Sequence, residues 1–199
     1  VVLTSNPIDG ARKPGTVGRP LPGVELRIAD AADKPLADDG VGRIQVRGAN
    51  VFKAYWRKPE KTAEDFTADG YFDTGDQGRL DADGYLSIVG RAKDLIISGG
   101  LNVYPIEVEL ALNEYAMIKE SAVIGIPHDD FGEAVVAVIV LELDAIFDEI
   151  AVRDFCAQSL AKFKLPKRVV AVEELPRNAM GKVQKNILRN QYRELFSNN

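Results

Sequence analysis

The sequence predicts an α+β chain in two parts, and three observations carry that prediction. Short runs of period two, set among glycines and prolines, fill the first ninety residues. Sustained helical spacing begins only after the segment "GRAKDLIISGGLNVYP". Two dense apolar runs, "SAVIGI" and "AVVAVIVLEL", then lie between helical stretches and read as buried strands.

Taken in order, Glu25 to Ile28 and Arg43 to Val46 alternate as strands do, and "DADG" stands where a hairpin would turn. "KPEKTAEDF" is at most a short helix. This portion is expected to be a small sheet or distorted barrel packed on other structure. From Pro105, the residues Val108, Ala111, Leu112 and Tyr115 recur on one helical face; Pro105 suits the first turn, and Glu107 and Glu109 favour its positive end. "DEIAVRDFCAQSLA" reads as a second helix with Val152, Phe155, Cys156 and Ser159 on one side, so Cys156 is expected in the core. "KRVVAV" is a further strand. The tail "VQKNILRNQYRELF" carries an apolar stripe of Ile187, Leu188, Tyr192 and Leu195. The boundary between the parts is expected near Arg91 to Asp94, giving portions 1–92 and 93–199.

Composition narrows the function. With 46% apolar and 28% charged residues, the 199-residue chain has the make-up of a soluble globular protein. No run approaches the ~20 apolar residues of a membrane span, and the opening "VVLTSNPIDG" has no basic leader or cleavage site. One cysteine excludes an internal disulfide framework, and one histidine leaves little for a Cys/His metal site. A reduced, cytoplasmic setting is expected. The net charge of -5 hides an asymmetry, because the segment from Lys162 to Glu194 carries nine basic residues against three acidic ones. That patch suits a small polyanion such as a nucleotide. A nucleic-acid partner does not fit an acidic whole without a reader motif.

Several segments offer chemistry. "YFDTGD" places Asp73 and Asp76 in a short turn where Gly75 lets the backbone approach a neighbour. A carboxylate held there can accept both hydroxyls of a ribose, or can simply cap the turn. Arg91 could return to the same sugar or phosphate with its rigid donor fork, or form a surface ion pair. Ser98, Gly99 and Gly100 end a strand, either as a turn or as a wall for a narrow ligand arm; the spacing is neither that of a dinucleotide-binding loop nor that of a P-loop. In "AMGKV", Gly181 frees the loop to turn Lys182 inward, where an ammonium would stabilise charge developing on a carboxylate or phosphoryl oxygen; otherwise Lys182 is a solvated loop lysine. Lys185 is expected to face solvent. His128 reads as a surface or helix-start residue rather than a general base.

Together, "YFDTGDQGRLDADGYLSIVGRAKDLIISGGLNVYPIEVE" and "LPRNAMGKVQKNILR" resemble the adenylate-forming superfamily of acyl-CoA synthetases, adenylation domains and luciferases. The opening "TSNPIDGARKPGTVGRPLPGVELRI" and "NVFKAYWRKPEKT" look like the malonyl-CoA synthetases within it. The resemblance implies a ligase that joins a carboxylate, here malonate, to ATP and then passes the acyl group to CoA. It implies that Asp76 and Arg91 bind the ribose and that Lys182 bridges carboxylate and α-phosphate. Lys93 would be the hinge, and Ser98, Gly99 and Gly100 would line the CoA arm's channel. Magnesium is implied as the counterion of ATP, without a ligand set in these residues. The family's phosphate loop and nucleotide motif are expected before Val1, so residues 1–92 would end a large ATP- and acyl-binding domain and 93–199 would form a small mobile one. The 199 residues alone are then expected to be inactive. A fatty acyl-CoA synthetase and a catalytically silent nucleotide-binding or docking module are the rival readings. The segment "VLELDAIFDEIAV" departs from relatives in lacking a glycine between strand and helix.

Overall fold

The computed structural model describes residues 2–37 and 39–197. The chain divides into two compact units, Val1–Lys93 and Asp94–Asn199.

In the first unit, β1 (Thr4–Ser5) and β2 (Arg19–Pro20) form an antiparallel ribbon. Strands β3 (Val24–Ala29), β4 (Gly42–Gly48), β5 (Phe72–Leu80) and β6 (Leu86–Arg91) make an antiparallel sheet in sequence order. Their period-two pattern sends Ile28, Ile44, Val46 and Leu86 into one core, with Leu26, Phe72 and Leu80 packed against it. "DADG" is indeed the turn from β5 to β6. Asp81 Oδ1 accepts from the amides of Asp83 and Tyr85, and Lys13 Nζ binds both Asp81 and Asp83 at 2.6 Å. The short helix α1 (Pro59–Asp65) buries no residue of its own; the rings of Phe52, Phe66 and Phe72 beside it supply the packing, with centroids 4.9–5.6 Å apart.

The second unit is a sheet with a core on each face. Strands β7 (Ile96–Ser98) and β8 (Leu101–Val103) form a hairpin, and helix α2 (Pro105–Asn113) follows. Then β9 (Ile118–His128) and β10 (Gly132–Leu141) form a long antiparallel pair. Helix α3 (Glu149–Cys156) leads to β11 (Arg168–Ala171), which lies parallel to β10, and helix α4 (Lys185–Gln191) comes last. Alternation explains the continuous apolar run. Val135, Ala137 and Ile139 of β10 face a core shared with Val108, Leu112 and Cys156. Val136, Val138 and Val140 face one shared with Leu175 and Leu188. Each valine, leucine or isoleucine among them contributes about 1.5–3 kcal/mol by leaving water.

Three local expectations differ from the structure. Helix α3 stops at Cys156, where Ser159 N and Leu160 N both donate to Cys156 O; the chain tightens to bring Leu160 to the core, which leaves Ser159 exposed. Asp148 caps its start by accepting from Ile150 N and Ala151 N. The tail helix is equally short, and beyond it Tyr192 and Leu195 reach the core through turns. Ile187 is 41% exposed and lies off that stripe. No helix among the described residues is long and apolar enough to cross a membrane.

Candidate active site

Asp76 owes its position to a defect in the ladder. Arg43 pairs with Gln77 and Gln45 with Asp73, so Thr74, Gly75 and Asp76 stand opposite the single residue Ile44. The segment is therefore a bulge within β5 rather than a free turn. Thr74 Oγ1 replaces the lost ladder bonds: it donates to Ile44 O at 2.9 Å and accepts from Asp76 N at 3.2 Å. Asp73 is used structurally, accepting from Gly75 N and pairing with Arg43 Nη1, both at 2.9 Å. That leaves Asp76 as the carboxylate presented by the bulge. It lies at a cavity of about 330 Å³ whose other walls include Thr74, Ile44, Leu86 and Ile88.

Arg91 ends β6 directly across from Asp76, and its Nε lies 3.1 Å from Asp76 Oδ1. The arginine side chain is 54% exposed and the aspartate 27%. Among the described residues, the two terminal nitrogens of Arg91 meet no protein acceptor. A carboxylate with a free lone pair beside a half-solvated guanidinium can receive a hydroxyl pair and an anionic oxygen together. Lys93 lies two residues on, in a short 3₁₀ turn, Ala92–Asp94.

In the second unit, Ser98 and Leu101 close the hairpin of β7 and β8 across a two-residue loop. Gly99 and Gly100 both have positive φ, 59° and 78°, the backbone that a type I′ turn demands at both central positions. Ser98 is buried, whereas both glycines are exposed. Lys182 follows Gly181 in an exposed loop ahead of α4, and among the described residues its ammonium has no partner.

Lys185 corrects the expectation of a solvated residue. Its Nζ sits 2.6 Å from Glu109 Oε1, with the two side chains only 18% and 16% exposed. The same oxygen accepts from Val123 N at 2.7 Å, so one carboxylate joins α2, β9 and the start of α4. Glu109 thus acts across the fold rather than on the start of its own helix. The far end of α4 is held by Arg189, whose Nη2 lies 2.7 Å from Asp94 Oδ1.

His128 packs between the rings of Phe131 and Phe196, at 4.8 and 5.0 Å, and its Nδ1 accepts from Asp130 N. Burial pushes the Cys156 thiol up, away from the reactive thiolate. Among the described residues there is no group of three His, Cys, Asp or Glu side chains able to hold a metal ion. Sequence reasoning gave Glu109 only a helix-start role and overlooked Asn178, which organises the Lys182 loop. An asparagine three residues before a glycine is a turn signal that could have revealed the latter.

Two family descriptions match the chain: "AMP-binding enzyme" over residues 1–56 and "AMP-binding enzyme C-terminal domain" over residues 107–182. The chain belongs to the AMP-binding, adenylate-forming enzymes. The chain is 44% identical over 200 aligned residues to a malonate–CoA ligase of Arabidopsis thaliana, covering 95% of itself and 32% of that protein. Among solved structures, ATP-bound MatB from Rhodopseudomonas palustris is 52% identical with a TM-score of 0.93, over 98% of this chain and 39% of the other. The o-succinylbenzoate CoA synthetase MenE from Bacillus subtilis, in complex with the acyl-adenylate intermediate OSB-AMP, is 36% identical with a TM-score of 0.81, over 89% of this chain and 35% of that one. The chain thus spans about a third of the length of the relatives it matches.

Proposed function

We propose that this chain is the carboxyl-terminal part of an AMP-forming acid–thiol ligase that makes malonyl-CoA from malonate, ATP and CoA in the cytoplasm. In the first half-reaction a malonate oxygen attacks the α-phosphorus of ATP. The new O–P bond forms as the α–β phosphoanhydride bond breaks, and pyrophosphate leaves. In the second, the thiolate sulfur of CoA attacks the acyl carbon, forming the thioester while the acyl C–O bond breaks and AMP departs. Residues 1–92 belong, on this reading, to the large domain that binds ATP and the acyl group, and 93–199 to the smaller mobile domain.

Asp76 accepts the ribose hydroxyls, and Arg91 supports the same sugar through its unpaired donors. Lys182 stands between the carboxylate and the α-phosphate, where a positive charge lowers the repulsion of two approaching anions. Lys93 is the hinge whose rotation exchanges the two half-reactions, and the exposed Gly99–Gly100 turn with Ser98 borders the CoA arm. Magnesium would accompany ATP; among the described residues no group of three His, Cys, Asp or Glu side chains stands together to hold it.

The observation that supports this reading best is the likeness to ATP-bound MatB over 98% of the chain, with Asp76 already paired to Arg91 across the bulged strand. The 36% identity to a ligase named for o-succinylbenzoate supports a second reading, in which the same chemistry serves another acid. Carboxylate-dependent exchange between ATP and pyrophosphate by the full-length protein separates the two. Exchange with malonate but not octanoate is expected. The reverse preference would reassign the acid, and no exchange with any carboxylate would indicate a silent nucleotide-binding module.

A further inference from the structure

We propose that Asn178 is a positioning residue for Lys182, holding the loop in the shape from which the ammonium reaches the reacting oxygens. The assignment rests on the adenylation role of Lys182 given above. Asn178 binds Lys182 on both backbone groups: its Oδ1 accepts from Lys182 N at 3.0 Å, and its N donates to Lys182 O at 3.0 Å. The same Oδ1 also accepts from Met180 N at 3.0 Å, and Asn178 O accepts from Gly181 N at 2.9 Å. Next to it, Arg177 donates from Nη1 to Gly181 O at 2.7 Å and pairs through Nη2 with Glu120 of β9.

A plain turn would need only the bond from Gly181 N to Asn178 O. Two of the additional bonds fall on the backbone of Lys182 itself and two on Met180 and Gly181 just before it, which leaves the lysine side chain as the free part. Lysine has four rotatable side-chain bonds and loses considerable entropy when it engages a ligand. A fixed Cα position therefore decides whether its ammonium arrives within bonding distance, and a misplacement of ~1 Å at a reacting group costs on the order of a hundredfold in rate. Asn178 touches no reacting atom in this scheme and acts through Lys182.

The test uses the full-length protein and reads the two half-reactions separately. One assay is ATP–pyrophosphate exchange with the acid that supports it; the other is thioester formation from supplied acyl-adenylate and CoA. Asn178→Ala is expected to lower kcat for exchange at least about tenfold, with KM for ATP and the second half-reaction each within about twofold. Asn178→Thr keeps a weaker, neutral acceptor for the same amides and should recover most of the exchange rate. Lys182→Ala is measured alongside and should lose exchange selectively. Equal loss of both half-reactions in Asn178→Ala overturns the positioning role, as does failure of Asn178→Thr to recover. So does full exchange by Asn178→Ala while Lys182→Ala has lost it; this result leaves the reading of Lys182 standing. Full exchange by Lys182→Ala overturns that reading and the positioning role with it.

Discussion

Replacing Glu109 with alanine asks how much of the second unit hangs on one carboxylate. Glu109 Oε1 serves two donors, Lys185 Nζ at 2.6 Å and Val123 N at 2.7 Å, the latter on the side of β9 away from β10. The substitution leaves a poorly solvated ammonium and an amide without its acceptor. A buried donor left unmade costs about 1–3 kcal/mol, and breaking a fully buried ion pair from one side costs about 3–5 kcal/mol. The two side chains retain 16–18% of their exposure, and Lys185 has a long stem with which to reach water. The lower part of the range therefore applies, about 2–3 kcal/mol. Glu109→Gln keeps a neutral acceptor and should lose about half as much. The double variant Glu109→Ala, Lys185→Met should be more stable than the sum of the single losses implies, by about 1 kcal/mol or more. Trp56 is the only tryptophan and lies in the first unit, so its fluorescence does not follow the second. Urea unfolding read by hydrogen exchange in peptides from residues 94–199 is the appropriate measurement. A loss under about 0.5 kcal/mol for Glu109→Ala would make this an ordinary surface pair and refute the reasoning.

Three further outcomes are expected. Arg27 and Thr67 bind the Asp69 carboxylate and lower its pKa from 3.8 to about 2, so Asp69 stabilises the fold above the unfolded value and loses that contribution as pH falls from about 4 to 2. The stability gap between the protein and Asp69→Asn in acid titration should narrow across that window; a constant gap would contradict the pairing. Cys156 is fully buried with its thiol pushed up, so a disulfide reagent should label it slowly in the native chain and rapidly in urea, and fast native labelling would contradict its burial. Lys93→Pro would fix φ at residue 93 and push Ala92 out of the 3₁₀ turn. Overall turnover of the full-length protein should fall, whereas unchanged turnover would remove the hinge role.

Elements whose causes are local could be read in advance. Strand β10 declares itself by seven consecutive buried residues, Ala134–Val140, because both faces of a sandwiched strand must be apolar. The strand-turn-strand of "DADG" was legible because Asp81 satisfies amides only two and four residues away. Helix ends were less legible. Where α3 stops depends on Leu160 finding the core, and no pattern within the helix announces it.

Residue order alone thus dictated the α+β pattern, the paired glycines of the β7–β8 hairpin, and the segments that carry Asp76, Arg91 and Lys182. Each follows from steric or hydrogen-bonding rules that act over a few neighbours. The partners of those segments required the folded chain. Asp76 meets Arg91 because one extra residue of β6, Val89, shifts its register against β5, and Lys185 meets Glu109 although 76 positions separate them in the chain. Whether a charged side chain ends in water or in a half-buried pair depends on which distant group the fold brings to it, and that information is not present in its neighbours.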